Sequence, residues 1–262
     1  MRLVSYDGGF GRLEGDGVVP MGTDLVRWLA GEETAEDGAP VPLRDLTLRA
    51  PIPRPGKVLC IGLNYRDHAA ETGKPLPTVP MLFAKWANSV VGHGATVAIP
   101  AATAEVDWEA ELGVVIGRTV KDVPVEDALD AVAGYCCLND LSARDLQRAT
   151  TQYTLGKAVD GFLPMGPWLV TRDEVPDPQD LAISCTVNGE TVQRSSTREM
   201  VFGAAELVSY LSRTMTLEPG DVVATGTPPG VGVARTPQWF LQPGDEVAVE
   251  IEGLGRLTTR MA

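Results

Sequence analysis

The sequence predicts a mixed α/β fold that is rich in β-structure. Three observations carry this. Asn188-Gly189 sits between β-rich runs in LAISCTVNGETVQ, and such a pair readily takes the positive φ angles of a two-residue hairpin turn. Leu217-Glu218-Pro219-Gly220-Asp221 and Leu241-Gln242-Pro243-Gly244-Asp245 each lead into an apolar run. Pro-Gly presets a type II turn, so this echo reads as turn chemistry used twice rather than as an internal repeat. Strand and helix patterns do not alternate steadily, which argues against a doubly wound parallel sheet.

The elements follow in order. Residues 2–6 (RLVSY) and 17–19 (GVV) read as short strands, and Thr23 caps a helix to about Leu29 with Gly31 as its stop. Residues 32–56 are rich in Pro, Glu and Asp and read as a linker. It closes a small N-terminal unit at residues 1–50, ahead of a main domain at 51–262. KVLCIGLNY is an apolar run of buried-strand length, and YRDHAAET is a short helix. GKPLPTVP is a loop, because three prolines in eight residues fit neither a helix nor a central strand. MLFAK, ATVAIP, the long run 105–117 (EVDWEAELGVVIG) and GYCCLNDLS read as strands. VPVEDALDAVA, SARDLQRAT and GAAELVSYLSRTM read as helices.

Composition narrows the function. The chain has 262 residues, 22 Lys+Arg against 35 Asp+Glu, and a formal charge of −13. An acidic chain of pI about 4.6 repels phosphate, so nucleic acid and anionic membrane surfaces are not expected partners. An apolar fraction of 44% with 22% charged residues is ordinary for a globular protein with a real core. Two histidines cannot build a multi-His zinc site, and the four cysteines, Cys60, Cys136, Cys137 and Cys185, lack C-x-x-C spacing. They read as buried reduced thiols of a cytoplasmic protein, with the adjacent Cys136 and Cys137 on opposite faces of a strand. The opening MRLVSYDGGFGRLEG has neither a long apolar core nor a small-residue cleavage site, so no secretory leader is expected. No stretch reaches the roughly 18 apolar residues of a membrane span. Any bound metal would take mainly carboxylate ligands, which points to a hard cation.

Asp107, Glu109 and Glu111 fall at i, i+2 and i+4 of an expected strand, on one face, with Trp108, Ala110 and Leu112 on the other. Two carboxylates about 6 Å apart repel by roughly 3 kcal/mol at an effective dielectric of about 20. Near a core they call for protonation or a cation; on an edge strand they would simply face water, and alternation alone leaves both open. Asp140 ends an apolar strand, as a ligand or as the N-cap of the helix through Gln147. Glu109, Glu111 and Asp140 together would form an open all-oxygen site suited to Mg²⁺, Mn²⁺ or Ca²⁺. His68 and Glu71, at i and i+3, share a helix face. A carboxylate beside an imidazole raises its basicity and suits activation of water, or the pair is ordinary helix surface. Lys157, in LGKAVDGFLP, is a lone loop cation. TGTPPGVG (225–232) lacks the Gly-Lys-Ser/Thr of a phosphate loop. It reads as a rigid loop offering Thr hydroxyls and backbone N–H groups to an anionic substrate, or as a tight turn.

Five segments then agree as a set: GLNYRDHAAE (62–71), DWEAELGVVIG (107–117), NDLSARDLQ (139–147), GKAVDGFLPMGP (156–167) and ATGTPPGVG (224–232). In this order they resemble the fumarylacetoacetate hydrolase superfamily over residues 57–262. The resemblance implies a β-sandwich roll with a small N-terminal α+β unit, commonly a homodimer. It implies metal ligands at Glu109, Glu111 and Asp140, with Mg²⁺ or Mn²⁺ bound and Ca²⁺ as an alternative. His68 and Glu71 match the family's water-activating pair, carried on a lid. Lys157 matches a lysine facing the developing negative charge, and Arg144, Gln147 and Thr227 match positions that contact or frame the substrate. Tyr153 stands where many relatives have Trp, which would reshape the substrate pocket. His93, in VVGHGATVAIP, reads as a turn residue, and Asp107 as support behind the site or as surface.

The implied activity is metal-dependent hydrolysis of a C–C bond in a small acylpyruvate or related β-diketo acid. The cation would chelate the 1-carboxylate and 2-oxo oxygen, the carbanion would be held there as an enolate, and His68, oriented by Glu71, would take a proton from water. Alternatives are a decarboxylase, isomerase or lyase of a 2-oxo or 2-hydroxydienoate acid, and, outside enzymes, a dead-site binding or interaction protein. The expected partner is a small anionic 2-oxo acid.

Overall fold

The computed structural model describes residues 1–262. The N-terminal part forms strands β1 (Arg2–Tyr6), β2 (Gly9–Glu14) and β3 (Gly17–Gly22), helix α1 (Leu25–Leu29) and strand β4 (Val41–Pro42). Next come β5 (Val58–Gly62), α2 (Arg66–Glu71), β6 (Met81–Lys85), β7 (Val90–Val91), β8 (Thr96–Val97), β9 (Val106–Asp107) and β10 (Ala110–Ile116). Then α3 (Val125–Ala128), β11 (Val132–Asn139), β12 (Ser142–Ala143), α4 (Arg144–Arg148) and α5 (Thr154–Lys157) precede β13 (Leu163–Thr171). The chain ends with β14 (Ala182–Val187), β15 (Glu190–Ser196), α6 (Ala204–Ser212), β16 (Val222–Ala224), β17 (Glu246–Ile251) and β18 (Gly255–Met261).

Two large sheets organise most of these elements, and β9 and β12 form a separate two-stranded pair. The larger is 11-stranded, in the order β4-β3-β2-β1-β13-β11-β10-β16-β5-β6, with β7 beside β13. The smaller is five-stranded, in the order β15-β14-β17-β18-β8. Strands β10, β11 and β13 of the first pack against β14, β17 and β18 of the second. Period-2 alternation splits the large sheet's side chains between two cores. Leu112, Val114, Tyr135, Cys137 and Val223 join the core shared with the smaller sheet and α6. Val115, Cys136, Leu138, Val222 and Ala224 join a second core with Leu3, Phe10, Met21 and Leu25. The adjacent cysteines thus do face opposite ways, and all four thiols are free and buried. No helix is long and apolar enough to cross a membrane.

The predicted turns are present. Asn188 (φ 51°) and Gly189 (φ 82°) both have positive φ at the tip of the β14–β15 hairpin, and Gly220 (φ 83°) and Gly244 (φ 96°) have it after their prolines. Other expectations change. The first helix is capped by Asp24, whose carboxylate accepts from the N–H groups of Val26 and Arg27 at 2.8 and 3.2 Å, while Thr23 bonds Glu33. Residues 32–56, expected as linker, contain β4 and the buried Ala50 and Ile52. The expected helix at 123–133 is α3 plus a 3₁₀ turn before β11 begins at Val132. Residues 1–50 extend the large sheet, because β1 pairs with β13 through Leu3 and Leu169.

Candidate active site

The expected single strand at 105–117 is broken at Trp108–Glu109, between β9 and β10. This break matters. Antiparallel register sets Ala110 opposite Asn139 and Glu111 opposite Leu138. Just beyond the ladder, Asp140 N–H donates to Glu109 O at 2.9 Å and Glu109 N–H donates to Asn139 Oδ1 at 3.0 Å. The ends of two neighbouring strands therefore bring Glu109, Glu111 and Asp140 together. Carboxylate oxygens of these three buried residues lie within 4.8 Å of one another. Asp107 does not join them. It is fully buried and accepts from Arg144 Nε (2.8 Å) and from the backbone of Gly232 (2.7 Å) and Val233 (3.1 Å). It is neither surface nor ligand, but the anchor of Arg144. Asp140 caps no helix.

Three buried cations face these acids. Lys157 Nζ lies 2.6 Å from Glu109 Oε2 and 2.7 Å from Asp140 Oδ2. Arg144 Nη2 lies 2.8 Å from Glu109 Oε1. Lys85, which sequence reasoning passed over, donates to Asp140 Oδ1 and, at 3.0 Å, to Leu141 O. Its only signal was a lysine closing the apolar strand MLFAK. Burial pushes the Lys85 ammonium down, with Asp140 opposing. Burial acts against Glu109 and Lys157 as well, but each is overruled by the other's charge and its neighbours', so Glu109 is held low and Lys157 high. Glu111 differs. Burial, then the Asp140 and Glu109 carboxylates, push it well above the usual range, and its one protein donor is Gly226 N–H at 2.8 Å.

With Asp107 counted beside them, four buried carboxylates thus stand against three cations, and Glu111 is the acid with no cationic partner. An all-oxygen donor set with a surplus negative charge fits a hard divalent ion on Glu109, Glu111 and Asp140. Replacing Lys85 removes one of the two buried lysines paired with Asp140 and leaves Lys157, so Lys85→Met should cost about 3 kcal/mol, the lower end for breaking a buried pair. A urea unfolding curve should show it as a lower midpoint at unchanged slope, and adding Asp140→Asn should restore most of the loss.

The second group lies beside the first. His68 Nδ1 donates to Glu71 Oε2 at 2.9 Å, and Glu71 Oε1 accepts from Gly230 N–H at 2.8 Å. The helix carrying them is docked onto the body: Asp67 accepts from Ser195 Oγ at 2.5 Å and Arg66 donates to Met200 O at 2.6 Å. The 225–232 loop was expected to offer N–H groups to a substrate. Three of them are already committed: Gly226 to Glu111, Gly230 to Glu71 and Gly232 to Asp107. Thr227 is held by Gln193 Nε2 at 2.9 Å, another contributor the sequence reading missed.

One cavity of about 400 Å³ joins both groups; His68, Glu109, Glu111, Arg144, Lys157 and Thr227 line it. Gln147, which accepts from Arg144 Nη1 at 3.1 Å, and Tyr153, edge-on to Phe83, line it too. Glu71 and Asp140 stand behind the wall, each holding a lining residue. His93 is elsewhere, in the turn before β8, where its Nδ1 accepts from Thr258 N–H at 3.2 Å.

Known proteins resemble this chain in sequence and in fold. The family model described as fumarylacetoacetate (FAA) hydrolase C-terminal matches residues 57–262. The chain is 48% identical over 223 residues to oxaloacetate tautomerase FAHD2A, mitochondrial, of Bos taurus, covering 84% of this chain and 71% of that protein. A fumarylacetoacetate hydrolase structure from Exiguobacterium antarcticum superposes with a TM-score of 0.90 at 36% identity, covering 100% of this chain and 99% of that one. A 2-hydroxyhepta-2,4-diene-1,7-dioate isomerase from Mycobacterium marinum does so at 0.84 and 36% identity, covering 100% and 96%.

Proposed function

Because the chain belongs to the fumarylacetoacetate hydrolase family, we propose that it is a divalent-cation-dependent enzyme that moves a proton beside the carbonyl of a small 2-oxo dicarboxylic acid, an oxaloacetate-type keto–enol tautomerase. The observation that carries this reading is one cavity holding both an oriented imidazole and a carboxylate cluster of surplus negative charge. The 48% identity to an oxaloacetate tautomerase supports the substrate class.

A cation on Glu109, Glu111 and Asp140 would draw electron density from a carbonyl oxygen and so acidify the neighbouring C–H. The protein's own groups do the rest. Arg144, pinned by Asp107, and Thr227, held by Gln193, offer fixed donors to a substrate carboxylate. Lys157, against Glu109 and Asp140, supplies a desolvated positive charge near the carbonyl. His68 donates through Nδ1 to Glu71, which leaves Nε2 free to accept a proton. The C–H proton passes to Nε2, its electron pair forms the C=C bond, and the carbonyl π pair moves to oxygen. The imidazolium then returns the proton to that oxygen.

A second reading is hydrolysis of a C–C bond in an acylpyruvate. It is favoured by the accessibility of His68, whose side chain is 13% exposed, so the same Nε2 can take a proton from water. Purified protein should be given oxaloacetate, an acylpyruvate and a hydroxydienoate, each with chelator and after re-addition of Mg²⁺ or Mn²⁺. Keto–enol exchange of oxaloacetate, followed by enol absorbance, should stop with chelator and return with either ion. Acylpyruvate cleavage without such exchange would establish the second reading instead. No turnover and no chelator effect would remove both.

A further inference from the structure

Glu71 orients His68, and Gly230 N–H orients Glu71. What orients Gly230 is a group that the chemistry above does not use. Gly230 has φ +103°, and a Cβ built on it would sit 2.0 Å from Val192 O, so the loop lies flush against β15. A glycine there has little intrinsic directional preference; its contacts must set where its N–H points. Its carbonyl receives two donors: Trp108 Nε1 at 3.1 Å and Arg235 Nε at 3.4 Å. Arg235 Nη2 also donates to Val192 O at 2.9 Å, tying the loop to the strand beneath it. The guanidinium lies 5.8 Å from the Trp108 ring centroid and 5.5 Å from that of Trp239, and the two indoles meet edge to face at 5.3 Å. Cation–π contact holds the half-buried Arg235 where its fork meets two carbonyls.

We propose that Arg235 and Trp108 are positioning residues for the His68 imidazole, acting through the Gly230 backbone and Glu71. Their side chains neither line the cavity nor bond Glu109, Glu111 or Asp140; they fix the direction of one N–H group. The consequence for chemistry rests on His68 being the proton carrier proposed above, whereas the consequence for its tautomer does not.

That tautomer can be read directly, because the chain has only two histidines. His68 Nδ1 faces a carboxylate, so the neutral ring carries its proton on Nδ1. His93 Nδ1 accepts from Thr258 N–H, so its ring carries its proton on Nε2. Two-bond ¹⁵N–¹H spectra of the full chain, recorded in the alkaline range where the ring signals no longer change with pH, should show one ring of each kind. His93→Gln assigns them. In Arg235→Met and in Trp108→Phe, His68 should move toward the Nε2–H form while His93 stays unchanged. Turnover should fall roughly tenfold in kcat, with KM within about twofold and Mn²⁺ affinity by calorimetry unchanged. Trp108→Phe keeps an aromatic face beside Arg235 and Trp239 while removing the indole N–H together with the pyrrole ring, so it decides the matter should Arg235→Met fail to fold, with His93 showing whether the smaller ring loosens the fold. An unchanged His68 spectrum overturns the proposal, as does a shift shared by His93, which would mean general loosening. A shifted His68 with full kcat leaves the positioning role standing and removes His68 from the chemistry.

Discussion

Glu111→Gln is expected to weaken Mn²⁺ or Mg²⁺ binding by about 100-fold or more and to abolish cation-dependent turnover, while making the cation-free protein more stable. The affinity figure follows from what supporting residues are worth. Removing a partner of a ligand costs about 10–100-fold, and a direct anionic ligand should cost at least the upper end. The stability gain follows from the local charges. Glu111 is 1% exposed, its neighbours in the cluster are two more acids, and its protein donor is one backbone N–H. Glutamine keeps an oxygen for Gly226 and removes a group that must either bury an unpaired charge or hold a proton against its ordinary tendency. Relieving a buried unpaired group is worth about 1–3 kcal/mol, or about 2–4 °C in Tm for each kcal/mol in a chain of this size. Glu109→Gln should behave oppositely without cation, because Lys157 and Arg144 each lose one of their two buried carboxylate partners. Calorimetric titration and thermal melts with chelator check both. Undiminished affinity in Glu111→Gln would show that Glu111 is no ligand, and a large loss of cation-free stability would make it a structural acid.

The sequence carried the clustering of the acids well and their cationic partners poorly, for one reason. Glu109, Glu111 and Asp140 lie on chain segments whose apolar flanks betray burial, and a buried acid is an anomaly that demands a partner. Their partners come from elsewhere. Lys85 precedes Asp140 by 55 residues and Arg144 follows Asp107 by 37, so neither pairing leaves a local trace. Lys85 in particular looks like a strand-end lysine in water until β6 is laid beside β5. Alternation also misled at one point. It placed Asp107, Glu109 and Glu111 on a common face, but the ladder stops between β9 and β10. The peptide there turns to bond Asn139 and Asp140 across the strand ends, so period 2 does not run through it. The hairpin and Pro-Gly turns were legible because their backbone requirements are local. The joining of β1 to β13 was not, because β-pairing at that separation depends on which apolar faces remain to be covered.

His68→Gln is expected to reduce keto–enol exchange or C–C hydrolysis by about 10²–10⁴ in kcat, the usual worth of a positioned acid–base group, with cation affinity and fold intact. The helix should stay in place because its anchors are other residues: Asp67 to Ser195, Arg66 to Met200 and Glu71 to Gly230. Cation binding should be unchanged because His68 is outside the carboxylate cluster. The informative comparison is with oxaloacetate decarboxylation measured on the same variant. Loss of carbon dioxide from a 2-oxo acid would need electron withdrawal by a cation held on the cluster and by Lys157, but no proton removed by His68. It should therefore persist within about threefold of wild type while the proton-transfer reaction collapses. The two groups in the cavity would then have separable duties, one withdrawing electrons and one carrying protons. Equal loss of both reactions would mean that His68 acts by holding the substrate, and no loss of either would place the base elsewhere in the cavity. A variant that loses only the proton-carrying reaction would also explain how one cavity can serve relatives named for tautomerisation, isomerisation and hydrolysis. The electron sink would be common to them, and the reaction would be set by where the oriented imidazole finds its proton.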